Sequence, residues 1–137
     1  MIYKLVCDTN VLAAGSLFPD GPSGFILKQW EEEKIVIVMT PAILDELQRV
    51  LIENFSVAEQ DAEYTRKLFA YKSVYINETK NIDEIKEDPT DNKFLEAAVA
   101  GNASFIISWD KHLLKLKNYQ NILIIDPPKF CRLLRKQ

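Results

Sequence analysis

The sequence predicts a three-layer α/β/α sandwich with a mostly parallel central sheet. Two observations indicate this class. Short runs of strand length alternate with helix-like segments, and several runs are continuously apolar, as in strands that are covered on both faces. With 137 residues and 47% hydrophobic content, the chain suffices for one compact core, so we predict a single domain over residues 1–137.

Turn and capping residues set the boundaries of the predicted elements. The first strand ends at Asp8, where the chain passes at once into a helix-like stretch. Residues 19–24 are rich in Pro and Gly and predict a break, whereas Thr40 and Pro41 predict a capped helix start. The predicted strands are residues 2–7, 35–39, 74–76, 105–107 and 122–125. The predicted helices are residues 11–14, 25–33, 41–54, 58–71 and 92–100, one after Asp110, and a basic C-terminal helix.

Two helices carry informative side-chain patterns. In the helix over residues 41–54, Glu46 lies on the rim of the apolar stripe, so we expect it to face inward. In the helix over residues 58–71, Tyr64, Leu68 and Tyr71 share one face. We interpret that face as core, with a partner surface as the alternative.

Charge is distributed unevenly along the chain. The formal net charge is −3, yet residues 1–110 hold 10 basic and 19 acidic residues, while residues 111–137 hold seven basic residues and the single acid Asp126. Such asymmetry is typical of a surface for a polyanion. Solvated lysines on surface helices are the alternative interpretation.

Cysteine usage and hydropathy exclude several classes. Cys7 and Cys131 lack the spacing of a metal knuckle or a disulfide framework, so we expect both to be reduced and buried. No apolar run approaches the ~20 residues of a membrane span, and no signal-like segment leads the chain. We therefore expect a cytoplasmic protein that has no membrane partner.

Four acids are predicted to meet at one edge of the sheet. Asp8 and Asp110 each follow a short apolar strand and precede a helix, which places both at the carboxyl edge, where ligands bind. Asp91 lies in the first turn of a helix that runs antiparallel to the strands. Glu46 lies near the start of the helix after the second strand, so it opens toward the same edge.

A cluster of carboxylates repels itself unless a cation is bound, so the sequence predicts a site for Mg²⁺ or Mn²⁺. Such a site suits phosphodiester hydrolysis, because the ion activates water and offsets charge on the phosphate. Asn10 and Ser108, each two residues from an acid, are expected to orient the ligands.

Each acid also has a simpler interpretation. Asp8 and Asp110 could cap the helices that they precede, and Asp91 could complete a capping box that begins at Asp88. Glu46 could be an ordinary surface acid. Their joint placement favours a site, with Asp88 as the cap and Asp91 as the ligand.

Four segments resemble the motifs of the PIN-domain family, in the family's order. They are residues 8–12 (DTNVL), 41–51 (PAILDELQRVL), 88–98 (DPTDNKFLEAA) and 108–114 (SWDKHLL). The likeness spans nearly the whole chain.

The resemblance implies a PIN fold, metal-dependent ribonuclease activity, and a role as the toxin of a toxin–antitoxin pair. It places the catalytic, metal-binding acids at Asp8, Glu46, Asp91 and Asp110, and the supporting residues at Asn10 and Ser108. It also implies an RNA substrate, a homodimer, and an antitoxin protein that inserts a basic side chain into the acidic crevice. Asn92 and His112 stand where relatives often carry further acids, so weaker metal occupancy is expected.

Other functions remain as alternatives. The main one is a catalytically silent RNA- or protein-binding module on the same fold, which metal titration would distinguish. A receiver-like signalling domain would need an early acidic pair that is missing here. A haloacid-dehalogenase-type phosphatase would need a second Asp where Asn10 stands, so both are disfavoured.

Overall fold

A computed structural model describes residues 2–136; residues 1 and 137, the ends of the predicted domain, lie outside the described residues. The strands are β1 (Tyr3–Cys7), β2 (Ile35–Met39), β3 (Val74–Tyr75), β4 (Phe105–Ile107), β5 (Asn118–Tyr119) and β6 (Ile122–Ile125). The helices are α1 (Thr9–Leu17), α2 (Pro22–Glu31), α3 (Pro41–Phe55), α4 (Glu59–Lys72), α5 (Asn92–Ala100), α6 (Lys111–Leu116) and α7 (Pro127–Arg135). A 3₁₀ turn (Pro89–Asp91) precedes α5.

The six strands form one sheet in the order β3-β2-β1-β4-β6-β5. Neighbours are parallel except for β5 and β6, which confirms the predicted fold class. The chain proceeds from β1 to one side of the sheet and returns to β4 on the other side. In open α/β sheets, the crevice beyond the carboxyl ends of strands at such a reversal binds ligands.

The core lies on the central strands. Leu5, Val6 and Ile106 are fully buried, because helices cover the middle of the sheet and its strands are apolar on both faces. Helix α5 packs on β1, β2 and β4. Its N-terminal end is thereby held close to the carboxyl edge of those strands.

Helix α2 begins earlier than predicted. It starts at Pro22, where the missing N–H costs no hydrogen bond. Gly24 lies so close to the preceding turn that a Cβ would be 2.3 Å from the Pro19 carbonyl oxygen. The Pro- and Gly-rich segment therefore contains a tight helix start as well as a turn.

The core interpretation of the α4 stripe is wrong. Tyr64 and Tyr71 are 68% and 88% exposed, and Leu68 is 36% exposed. The helix buries Phe69 instead, and that ring stacks on Trp30 of α2 with centroids 4.7 Å apart. The contact between Phe69 and Trp30 determines which face of α4 turns inward. Because Trp30 belongs to α2, the sequence pattern of α4 alone cannot predict this contact.

Helix α1 is longer than the predicted stretch over residues 11–14, since it spans Thr9–Leu17. The other elements lie at or near their predicted positions. β5 is an addition: two residues that pair antiparallel with β6 at the edge of the sheet. Cys7 and Cys131 are free and buried, as predicted. Within residues 2–136, no helix has the length and hydropathy needed to cross a membrane.

Candidate active site

Asp8 is fixed at the end of β1 by its own strand, by β4 and by α1. Its N–H donates to the Ile107 carbonyl at 3.0 Å. Its Oδ2 accepts hydrogen bonds from the hydroxyl of the fully buried Ser108 and from the Trp109 N–H, the latter at 3.2 Å. Its Oδ1 accepts from the Val11 N–H at 2.9 Å and so caps α1. The carboxylate therefore has one orientation.

Opposing effects act on the ionisation of Asp8. Burial is the largest effect and raises its pKa, and the nearby charge of Asp110 raises it further. The hydrogen bonds from Ser108, Val11 and Trp109 favour the carboxylate and lower the pKa. The net effect is a raised pKa, which a bound cation would reverse.

Asp110 follows β4 after Ser108 and Trp109 and caps α6. Its Oδ1 accepts from the N–H groups of His112 and Leu113 at 2.7 and 3.3 Å. Its own N–H donates to the Ser108 hydroxyl oxygen at 2.8 Å. The capping interpretation is thus confirmed for both Asp8 and Asp110. Because both capping bonds of Asp110 use Oδ1, its Oδ2 takes no part in them, so capping does not exclude a ligand role.

Asp91 differs from the other acids in having a buried oxygen without a hydrogen-bond partner among residues 2–136. Asp88 caps the 3₁₀ turn, as predicted, through bonds from the Thr90 N–H at 3.3 Å and hydroxyl at 2.6 Å. Asp91 contributes no side-chain capping bond to this helix start in the part of the chain described, so the capping-box alternative is wrong. Its Oδ2 is buried and lacks a hydrogen-bond partner among residues 2–136. Burial, followed by the charges of Asp110 and Asp88, raises the pKa of Asp91 to about 7.

Glu46 reaches the same region from α3. Its Oε2 accepts from the Thr9 hydroxyl, while its Oε1 lies 3.0 Å from Lys93 Nζ and 3.7 Å from the Arg49 guanidinium. The Glu46 side chain is 19% exposed, against 70% for Asp45. The predicted inward orientation of Glu46 is confirmed.

A pocket of about 210 Å³ brings these side chains together. Its lining includes Asn10 and all four predicted acids: Asp8, Glu46, Asp91 and Asp110. Ser108 lies behind Asp8 and positions it. As the side chains stand, residues 2–136 contain no group of three His, Cys, Asp or Glu side chains in the arrangement of a finished metal site. The ligand roles therefore stay predictions.

Asn92 has a structural role beside the site. Its Oδ1 accepts from the Glu84 and Ile85 N–H groups at 3.2 and 2.9 Å. Its Nδ2 donates to the carbonyls of Ile85 and Pro89 at 3.0 and 3.1 Å. Asn92 thus anchors the segment that leads into the 3₁₀ turn. At this position, where relatives often carry an acid, the side chain holds the neighbouring backbone in place and adds no charge to the site.

Thr9 and Lys93 were not predicted from the sequence. Both contact Glu46, and each is close in sequence to a predicted acid. That proximity is the only sequence signal for either residue, because their contact with Glu46 depends on how α1, α3 and α5 pack.

A mostly parallel sheet whose order reverses beside a pocket of carboxylates defines the class: an α/β domain with an acidic pocket at its carboxyl edge. The family comparison agrees, since the PIN-domain model matches residues 4–112. The chain belongs to the PIN-domain family, whose members are generally nucleases. The resemblance predicted from the four motifs is confirmed.

Known relatives and structures are consistent with this assignment. The uncharacterized protein MJ1680 of Methanocaldococcus jannaschii is 33% identical over 127 residues, covering 90% of this chain and 81% of that protein. VapBC2 from Rickettsia felis, solved bound to a DNA fragment from its promoter, matches with a TM-score of 0.60 at 15% identity, over 90% of this chain and 98% of that one. PAE2754 from Pyrobaculum aerophilum matches over both full lengths with a TM-score of 0.61 at 16% identity. The two structures share the fold.

Proposed function

We propose that this protein is a metal-dependent endoribonuclease that hydrolyses RNA phosphodiester bonds. The observation that carries the proposal is a pocket that carboxylates from four separate segments line, one of which, Asp91, has a buried Oδ2 without a hydrogen-bond partner among residues 2–136. A buried carboxylate oxygen without a partner is costly, whereas a hard divalent cation bound to it would offset that cost. The residues present therefore fit Mg²⁺ or Mn²⁺.

Each side chain has a distinct role in this proposal. Asp8, Asp91 and Asp110 would hold the ion, with Glu46 as the fourth ligand. Ser108 keeps the Asp8 carboxylate in place and favours its ionised form. When bound, the ion supplies Lewis-acid activation of a water nucleophile and offsets charge on the phosphate. Without a cation, the acidic pocket would repel an RNA phosphate.

Cleavage assays test the activity. The wild-type protein should cut single-stranded RNA when Mg²⁺ or Mn²⁺ is added, and the substitutions Asp8→Asn and Asp110→Asn should abolish cutting. Asp20→Asn, at an exposed position outside the four motifs and outside the lining of the acidic pocket, is the matched control. If pure protein shows no metal-dependent cleavage over varied RNAs, the proposal is wrong.

A silent binding module is the second candidate. It is favoured by one observation: Glu46 is already neutralised by Lys93. Titration with Mn²⁺ distinguishes the two candidates, since a binding module need not take up the ion at these acids. Uptake that is lost in Asp8→Asn would support the enzyme.

We further propose a toxin role in the cytoplasm, a homodimer, and a cognate antitoxin partner. The shared fold with VapBC2 of Rickettsia felis supports this role, and the acidic pocket has the charge to accept a basic side chain. Expression of the chain should arrest growth of a bacterial host, and the protein encoded by the adjacent gene should restore it. Arrest that persists in Asp8→Asn would contradict a nuclease toxin, and light scattering would report the oligomeric state.

A further inference from the structure

Lys93 places a positive charge beside the acidic pocket, against Glu46. Its Nζ donates to Glu46 Oε1 at 3.0 Å and to the Thr90 carbonyl at 2.6 Å. The aliphatic part of the side chain is largely covered, since only 16% of the side chain is exposed, and the Nζ lies 5.2 Å from the centre of the Phe94 ring. These contacts hold the ammonium group in one place.

The negative charge of the pocket is consequently balanced unevenly. Both oxygens of Glu46 have donors, because Lys93 contacts Oε1 and the Thr9 hydroxyl contacts Oε2. Asp91 Oδ2 has none among the described residues. Both acids line the same pocket, so a cation that enters meets one carboxylate with a bare oxygen and one that is already paired.

A paired carboxylate is a poorer ligand than a bare one. The incoming ion must replace the ammonium at Glu46 Oε1, and it is repelled by the same ammonium before doing so. The ion pair is also mostly shielded from water, with 16% and 19% of the two side chains exposed, so solvent weakens that repulsion less than it would at the surface.

We propose, on the basis of the function proposed above, that Lys93 is an internal counter-cation that withholds Glu46 from the metal site. Asp8, Asp91 and Asp110 would hold a divalent ion without Glu46, and Glu46 would join them only where its ion pair with Lys93 is broken. Lys93 is therefore a positioning residue that lowers the affinity of the site for metal and stabilises the metal-free fold. If Lys93 served only to link α3 to α5, its replacement would not tighten metal binding. It would only make the site less ordered.

The test is Mn²⁺ binding to the full chain, measured from the electron paramagnetic resonance signal of the free ion. Lys93→Met removes the charge and keeps the apolar stem, and it should tighten Mn²⁺ binding by about tenfold. The matched control is Lys86→Met, which breaks an exposed ion pair with Asp83 and should leave the affinity unchanged. If Lys93→Met does not fold, Lys93→Gln takes its place in the same measurement.

A second background tests the link to Glu46. In protein that carries Glu46→Gln, the gain from Lys93→Met should shrink to about threefold or less, because the withheld ligand is gone. If Lys93→Met increases the Mn²⁺ affinity equally in both backgrounds, Lys93 acts only through its charge and not through Glu46, and the proposal is overturned. Unchanged or weaker Mn²⁺ binding in Lys93→Met would overturn it as well, and wild-type cleavage of RNA would then leave the proposed function standing. If wild-type protein binds no Mn²⁺, the proposed function fails and this inference fails with it.

Discussion

Replacing Asp91 by Asn is expected to stabilise the metal-free protein while removing a candidate ligand. The Asp91 carboxyl is buried beside other acids, and its Oδ2 has no hydrogen-bond partner among residues 2–136. Its ionised form is therefore disfavoured in the folded state. Asn has nearly the same shape and no charge, and its amide can donate to neighbouring carboxylates.

The size of the effect follows from the pKa. A rise from 3.8 to about 7 in the folded state corresponds to about 4 kcal/mol at full value. Because the carboxyl lies at the wall of an open pocket where water screens it, we expect about half of that, ~2 kcal/mol. The folded protein holds this proton more tightly than the unfolded chain does. The destabilisation is therefore absent below pH 3.8, grows as the pH rises to about 7, and is complete above that.

Urea denaturation in the presence of a chelator measures the difference. At pH 8, Asp91→Asn should be more stable than wild type by ~2 kcal/mol. In a thermal melt, the same difference corresponds to a rise of about 7 °C in Tm. Near pH 4 the two should be almost equal. Saturating Mn²⁺ should reverse the order, because an ion that binds only the folded wild type stabilises it by about 3 kcal/mol at one hundred times its Kd.

Two results would refute this reasoning. One is an Asp91→Asn protein that is no more stable than wild type at pH 8. The other is a gain of the same size at pH 4 and pH 8, which would show that the charge of Asp91 is not its cause. Asp20→Asn, at an exposed site, is the control for a general effect of removing one negative charge.

Three further substitutions test individual contacts. Ser108→Ala removes a hydrogen bond that lowers the pKa of Asp8, so the midpoint for Mn²⁺ binding should move to higher pH; an unchanged midpoint would contradict the role of the hydroxyl. Asn92→Ala leaves the buried Ile85 N–H unpaired, and should cost about 1–3 kcal/mol and speed proteolytic cleavage within residues 77–88. Phe69→Ala should cost about 3–5 kcal/mol and Tyr71→Ala less than about 0.5 kcal/mol in urea denaturation, whereas similar losses would restore the core interpretation of the exposed stripe.

The parts of the site that follow strands could be predicted from the sequence. Asp8 and Asp110 each end an apolar run, and parallel pairing brings such positions to one edge without any knowledge of side-chain packing. Because Cys7 pairs with Ile107, the residues that follow them, Asp8 and Ser108, are neighbours. The inward orientation of Glu46 could be predicted from the periodicity of α3 alone.

Contacts between helices could not be predicted in this way. The Lys93–Glu46 pair depends on the approach of α5 to α3, and no periodic pattern in either helix specifies that approach. The same holds for α4, where Phe69 and the stripe at Tyr64 both satisfy a helical repeat. In the sequence, Asn92 stands out only by the acid that it replaces, whereas in the structure its four hydrogen bonds to the backbone explain its presence.

The pairing of β1 with β4 joins residues a hundred positions apart, as in the bond from Ser108 to Asp8. During synthesis, a ribosome that has released only the first hundred residues has made Asp8, Glu46 and Asp91 but not the strand that aligns them. Long-range pairing of this kind forms late and slowly. In the nuclease proposed above, a nascent chain that stops before β4 would therefore lack the hydrogen bond from Ser108 that orients Asp8, and it would leave the RNA around the ribosome uncut.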